Sequence, residues 1–301
     1  MMLVGPAAYA RAVTAGADFP TSLSPSRAND FLTCPLLFRL RSIDRLPELP
    51  SPAALRGTLV HSALERLFDL PASERDVNAA ALLLAEAWRA LADEDPHGAA
   101  VLTEELALDS DDPDVIAAAV LAPARPLLEG YFAMEDPQRF QPHARELGVS
   151  VEIADSFTIR GFVDRIDRTD TGDVRIVDYK TGRSPRAGYE SKALFQMRFY
   201  ALAWWRMTGE VPRLLQLMYL GNREFLRYSP DVSELEATER KILAIRASIN
   251  RAGQQGAFDP TPSRLCDWCA FRDLCPAFGG TPPPLPPIET WPASQAEPRD
   301  V

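Results

Sequence analysis

The sequence predicts a mixed α/β protein whose sheet lies in the second half of the chain. Two observations carry this. Apolar residues keep helical spacing as far as Met134, then alternate strictly from Leu147 to Val163. From Glu146 onward the order reads strand, strand, strand, helix, strand. That is two antiparallel steps followed by a crossover that returns the chain to the sheet.

The elements follow in order. Ser24-Pro25 pairs an N-cap with proline at the first helical position and opens a helix to about Arg41, with Cys34-Pro35 inside it or at a break. A second helix spans Pro52 to Leu70, because Leu55, Leu59, Ala63, Leu64 and Leu67 share a face. Asp76 to Ala92 is rich in alanine and leucine and reads as helix. The acidic, proline-bearing run Asp93 to Asp114 reads as a loop, and Val115 to Met134 as a helix interrupted at Pro123 and Pro126.

Leu147, Val149, Val151 and Ile153 mark a first strand, and Phe157, Ile159, Gly161 and Val163 a second. Val174 to Tyr179 is a third, after a turn at Thr171-Gly172-Asp173. Tyr189 to Met207 is helical, Leu214 to Leu220 and Glu224 to Tyr228 are strands, and Asp231 to Arg251 is a helix. Five segments result: an extension (1–22), a helical region with Cys34 and His61 (23–145), the sheet core (146–256), a cysteine segment (257–278) and a proline-rich tail (279–301).

Apolar residues make up 46% of the chain and charged residues 25%, which excludes a disordered polymer. No apolar run reaches the roughly 18 residues of a membrane span. Met1 to Pro20 lacks the basic start and apolar core of a signal peptide, so a cytoplasmic protein is expected. The net charge of −10 argues against a general DNA-coating protein, yet it is uneven. Residues 69–158 carry −14, while the flanks 1–68 and 159–301 carry +2 each. The flanks can face a polyanion, and the acidic middle is expected to lie away from one. Lysine occurs only at 180, 192 and 241, against 29 arginines.

Three polar features sit on the predicted core: His61 on the second helix, Asp164 on the second strand, and Asp178-Tyr179-Lys180 ending the third. Asp178 and Lys180 share a strand face. Asp164 on the adjoining strand completes a hard oxygen site suited to Mg²⁺ or Mn²⁺, with His61 adding a nitrogen ligand. Such an ion polarises a phosphoryl oxygen, and a nearby lysine offsets the charge that develops on phosphorus. Gln196 and Tyr200 stand one helical turn apart and project together. Glu65, one turn past His61, is a candidate to orient it, and Glu152 a candidate further acid. Taken singly, each feature is also an ordinary strand end or helix face.

In order, Gly57-x3-His61, Gly161-x2-Asp164, Asp178-x-Lys180 and Gln196-x3-Tyr200 resemble the PD-(D/E)XK nuclease superfamily and, within it, the RecB-like exonuclease branch. The resemblance implies a restriction-endonuclease-like αβββαβ core with added N-terminal helices and a C-terminal cysteine cluster. It implies that His61, Asp164, Asp178 and the Tyr179 carbonyl hold the metal, that Lys180 is the catalytic lysine, and that Gln196 and Tyr200 brace the site and contact DNA.

Cys266-x2-Cys269-x5-Cys275-Pro276 joins Cys34-Pro35 far upstream. Four thiolates suit a [4Fe–4S] cluster or a structural Zn²⁺, although the 1+3 split departs from paired zinc knuckles. The split resembles that of AddB-type and CRISPR-adaptation nucleases, which implies iron–sulfur in a stapling role. Phe271 and Trp268 are expected to shield the sulfurs. Arg272, and separately Arg27, Arg39, Arg41 and Arg45, are candidates to line a single-strand path; Asp267 flanks the first.

The resulting expectation is a metal-dependent DNA nuclease acting on single strands or ends in repair or recombination. No Walker-type phosphate loop is present, so a helicase partner would be another polypeptide. The alternative is a non-catalytic DNA-end binding or assembly subunit of such a complex.

Overall fold

The structure is a computed structural model and describes residues 20–286, apart from 108, 109, 187 and 189. The leader-free reading of Met1 to Pro20 falls almost wholly outside the described residues, as do the tail beyond 286 and the start of the crossover helix at Tyr189. The described residues form nine α-helices and a mixed sheet of six strands. They fall into two compact units: 20–48 with 150–160 and 236–286, and 49–149 with 161–235.

The second unit carries the helical layer and most of the sheet. Helices α3 (Pro52–Leu67), α4 (Val77–Glu94), α5 (Pro96–Leu106), α6 (Pro113–Leu121) and α7 (Arg125–Met134) precede the strands. Ser51, Asp95 and Asp112 each cap a helix whose first residue is proline, through a side-chain oxygen accepting an N–H of the first turn. That signature overturns the loop expected over Asp93 to Asp114. Asp95-Pro96 starts a helix, and the acidic composition hid its cap. The break expected near Pro123 and Pro126 lies between α6 and α7. Among the described residues no single helix is long and apolar enough to cross a membrane.

Strand β2 (Ala144–Ala154) pairs with β3 (Phe157–Arg168), β3 runs antiparallel to β4 (Val174–Lys180), and helix α8 (Ser191–Thr208) crosses over to β5 (Leu214–Tyr219), parallel to β4. β6 (Glu224–Tyr228) closes the edge antiparallel to β5. Strand alternation sends Val177 and Tyr179 to one face, where they pack with Leu59, Val60, Leu64, Leu84, Leu128 and Tyr131 of the helical layer. Four leucines of α3 are buried, each stabilising by roughly 1.5–3 kcal/mol. Packing therefore fixes the helix that presents His61. Two close approaches hold the strand ends: Gly57 against Thr181, and Gly221 against the Gly182 carbonyl, where a Cβ would stand 2.8 Å away.

The first unit contains β1 (Ser22–Leu23), parallel to the start of β3 with Leu23 opposite Ile159. Helix α1 (Pro25–Thr33) is capped by Ser24. Cys34 is extended and breaks the predicted long helix; α2 (Pro35–Phe38) follows and runs into a π-helical turn at Arg39–Ile43. Helix α9 (Val232–Gln255) leads to short 3₁₀ turns bearing the other cysteines.

Candidate metal centre and active site

The β3–β4 register sets Arg165 opposite Val177 and Ile166 opposite Ile176. One step further, Asp164 and Asp178 fall side by side. Asp164 Oδ2 accepts the Tyr179 N–H at 2.7 Å, which anchors its carboxylate to the neighbouring strand. His61 reaches the same point from α3. Its Nε2 lies 3.0 Å from the Tyr179 carbonyl and its Nδ1 3.5 Å from Asp164 Oδ2.

A third acid joins them. Donor atoms of His61, Glu146 and Asp164 lie within 4.8 Å of one another. Glu146 has φ 41°, a left-handed conformation uncommon outside glycine, inside strand β2. In the sequence alone Glu146 marks only the start of the core, and Glu152 is the acid that stands out on the first strand. Glu152 accepts the Ser156 N–H at 3.2 Å and braces the hairpin turn. The missed signal was the hairpin register: Gly148 lies against Phe162, so Glu146 and Asp164 share a face.

A second group continues along β4. Asp178 Oδ2 is 2.6 Å from Lys180 Nζ, and its Oδ1 accepts from Gln196 Nε2 at 3.0 Å. Lys180 Nζ donates to Gln196 Oε1 at 3.2 Å. One amide thus ties the acid to the lysine, and the Tyr200 hydroxyl lies 3.4 Å from the same amide nitrogen. All the sequence-chosen residues of the second unit meet here. Glu65 is the exception in role: it lines the adjoining groove, but both nitrogens of His61 face Tyr179 and Asp164 instead.

Charge is concentrated at this point. Burial, then the facing Asp164, pushes Glu146 up to about 7. Burial pushes Asp178 up to about 6 against the pull of Lys180. Burial lowers the His61 pKa, but Asp164 and Asp178 outweigh it and hold the imidazole above its ordinary value. Carboxylates that resist ionising because they are buried, and further because they face Asp164, fit a divalent cation when an imidazole stands beside them: the ion would compensate their charge within a set of oxygen and nitrogen donors. The groove beside them, about 500 Å³, is lined by Ala54, Gly57, Thr58, Ser62 and the two acids Glu65 and Glu146.

Beneath the site lies a buried ionic group. Arg165 is 1% exposed. It pairs with Glu135 at 2.8 Å and Asp167 at 3.0 Å, and donates to the Tyr179 hydroxyl at 2.6 Å. Arg175 joins the same two acids.

In the first unit, Cys34, Cys266, Cys269 and Cys275 line one cavity with Leu36, Leu40 and Phe271, and none is in a disulfide. The Thr261 and Ser263 N–H groups donate to the Cys34 and Cys266 sulfurs at 3.4 and 3.3 Å. Burial raises the Cys269 pKa, and the neighbouring Cys266 and Cys34 raise it further. Four thiols in an apolar cavity with N–H groups aimed at sulfur fit a thiolate-held group. Phe271 shields them as expected, whereas Trp268 is 79% exposed and does not. Arg272 is committed to Asp267 and the Phe278 ring, Arg39 to Asp44, and Arg41 to Asp30 and Glu48. Arg27, crowded by Arg160 and Arg45, keeps a basic patch.

Carboxylates and a lysine on neighbouring strands of a mixed sheet, met by an imidazole from helix α3, define an α/β protein with an acidic site of the kind that holds a divalent cation. The sequence model of the PD-(D/E)XK nuclease superfamily matches residues 22–276, and the chain belongs to that superfamily. Members of this superfamily usually use Mg²⁺ or Mn²⁺, and His61, Glu146 and Asp164 offer donor atoms that fit such an ion. Over 139 residues the chain is 30% identical to the Gene 69 protein of Mycobacterium phage L5, covering 45% of each. The chain thus spans less than half the length of that curated relative. A solved structure described as the crystal structure of SSO0001 aligns over 90% of this chain and 93% of its own, at 15% identity and a TM-score of 0.35.

Proposed function

We propose that this protein is a deoxyribonuclease of the RecB-like branch, an exonuclease on single-stranded DNA or DNA ends that serves repair or recombination in the cytoplasm. The observation that carries the reading is the convergence of His61, Glu146 and Asp164 beside the Asp178–Lys180–Gln196 group. In this reading His61, Asp164, Asp178 and the Tyr179 carbonyl hold Mg²⁺ or Mn²⁺, and Glu146 joins them.

A bound divalent ion supplies a Lewis acid that polarises the phosphoryl oxygen and lowers the pKa of water. Lys180 holds the attacking water and, as an ammonium, offsets charge on the phosphorus as the water oxygen bonds to it and the bond to the leaving alkoxide breaks. Gln196 keeps lysine and acid in register, and Tyr200 supports Gln196. The acidic groove repels phosphate when no cation is present, so DNA binding follows metal loading.

The four cysteines hold a [4Fe–4S] cluster as a structural staple. What supports the cluster over a zinc is the split of one upstream and three clustered cysteines, which departs from paired zinc knuckles.

The test is cleavage of end-labelled single-stranded, duplex and flap DNA by anaerobically purified protein, with Mg²⁺, Mn²⁺ or neither. Metal-dependent cleavage that Asp178→Ala and Lys180→Ala abolish supports the reading; binding without cleavage favours a non-catalytic end-binding subunit. A brown preparation absorbing near 400 nm, bleached in Cys34→Ser, supports the cluster, and a colourless zinc-loaded one refutes it.

A further inference from the structure

We propose that Phe162 is a stacking platform for one unpaired nucleobase next to the reacting phosphate, and so selects single strands or frayed ends; this rests on the nuclease reading above. Phe162 is 66% exposed, while Val163 beside it is fully buried. A single exposed apolar side chain is ordinary by itself, and placement gives this one meaning. It lies two residues before Asp164 on β3, so both project from one face about 7 Å apart along the strand. That is the order of the separation between a phosphate and its own base.

The ring has a fixed seat. Gly148 on β2 has no side chain beneath it, and a Cβ there would stand 3.5 Å from Phe162 Cε1. One edge of the ring thus lies over the glycine, where no side chain intrudes, and most of the ring stands in water. The electrostatics demand such a contact. Glu65 and Glu146 line the groove at the site and give no purchase on phosphates. Arg183 and Arg186, exposed in the loop after Lys180 and without an ion pair among the described residues, offer basic charge three and six residues past the lysine. Aromatic stacking plus sparse basic charge is how single strands are gripped without sequence preference. A base inside a duplex has both faces occupied by its neighbours and cannot use the ring.

The test pairs a protein change with a DNA change. Cleavage of a single-stranded oligonucleotide is compared with a set carrying one abasic site at successive positions around the cut. For the wild-type chain, one abasic position lowers kcat/KM by about 5- to 150-fold. Phe162→Ala lowers kcat/KM on the intact strand by a similar factor, mainly through KM, and is then indifferent to that abasic site. Phe162→Trp restores both the rate and the abasic sensitivity. Thermal unfolding is unchanged in both variants, since the ring is exposed. Effects that multiply, or an abasic series without a sensitive position, overturn the stacking role while leaving the nuclease reading intact. Failure of the wild-type chain to cleave any DNA with Mg²⁺ or Mn²⁺ overturns both.

Discussion

Gly161 and Tyr200 touch so closely that a Cβ on residue 161 would lie 2.7 Å from Tyr200 Cε1. The glycine of the Gly-x2-Asp motif and the tyrosine of the Gln-x3-Tyr motif are therefore one packing unit. Tyr200 is buried, its hydroxyl is 3.4 Å from Gln196 Nε2, and Gln196 ties Asp178 to Lys180.

Gly161→Ala is expected to displace the tyrosine ring and, through it, the Gln196 amide. Overpacking at a buried contact costs about 1–3 kcal/mol. The variant should lose that much in denaturant unfolding and lose nuclease rate beyond what its stability explains. Pairing it with Tyr200→Ala, which vacates the space, should recover part of the stability. Additive losses in the double variant would show that the two residues are not coupled.

Arg165 presents the opposite situation, a charge sealed beneath the sheet. Replacing it with methionine leaves two buried acids, Glu135 and Asp167, to the single guanidinium of Arg175 and takes the donor from the Tyr179 hydroxyl. Breaking a buried ionic group from one side costs about 3–5 kcal/mol. Tyr179 lies between Asp178 and Lys180, so the remaining folded protein should also bind its metal more weakly. Arg168→Ala, which opens an exposed pair with Glu210, is the control and should leave unfolding nearly unchanged. Equal effects from the two changes would remove the special status of the buried group.

Much of this was legible in the sequence. Helical periodicity, then alternation, places the elements of the sheet, and the motif order brings His61, Asp164, Asp178, Lys180, Gln196 and Tyr200 to one place. What stayed hidden depended on partners distant in the chain. Glu146 counts as part of the site only through the hairpin register and its own left-handed backbone. Asp167 shows its role only once the β3–β4 register sets Arg175 opposite it and Arg165 is seen to be buried on the same face. Helix α5 was obscured because an acidic stretch with proline looks like a loop unless Asp95-Pro96 is read as cap and first residue. Trp268 could not be told from Phe271 by composition, since both flank cysteines and only one is buried.

Glu146 makes metal binding pH-dependent. Its pKa is pushed up to about 7, so as the pH falls through that value a proton occupies the carboxylate and the ion must displace it. Mn²⁺ affinity measured by calorimetry should drop by at least about tenfold per pH unit below 7, because both Glu146 and His61 must shed a proton to ligate. Glu146→Gln should bind more weakly at pH 8 and show a shallower slope between pH 6 and 7, with about one proton fewer released. A slope unchanged in the variant would assign the proton to another group.

Asp178 gives the converse effect on stability. Its folded-state pKa is about 6, above the ordinary carboxylate value, because the burial penalty exceeds the help from Lys180. Between about pH 4 and 6 the folded chain binds more protons than the unfolded one. Its contribution to stability therefore falls as pH rises through that window and stays low above it. In metal-free buffer at pH 8, Asp178→Asn should be more stable than the wild-type chain, by an amount on the order of 1–3 kcal/mol. The asparagine oxygen can still accept from Gln196, and Lys180 is exposed enough to hydrate. At pH 4 the advantage should vanish, and saturating Mn²⁺ at pH 8 should reverse it, because the ion stabilises only the chain that keeps the carboxylate. A variant less stable than the wild-type chain at pH 8 without metal would mean that the Lys180 pairing outweighs the desolvation of Asp178.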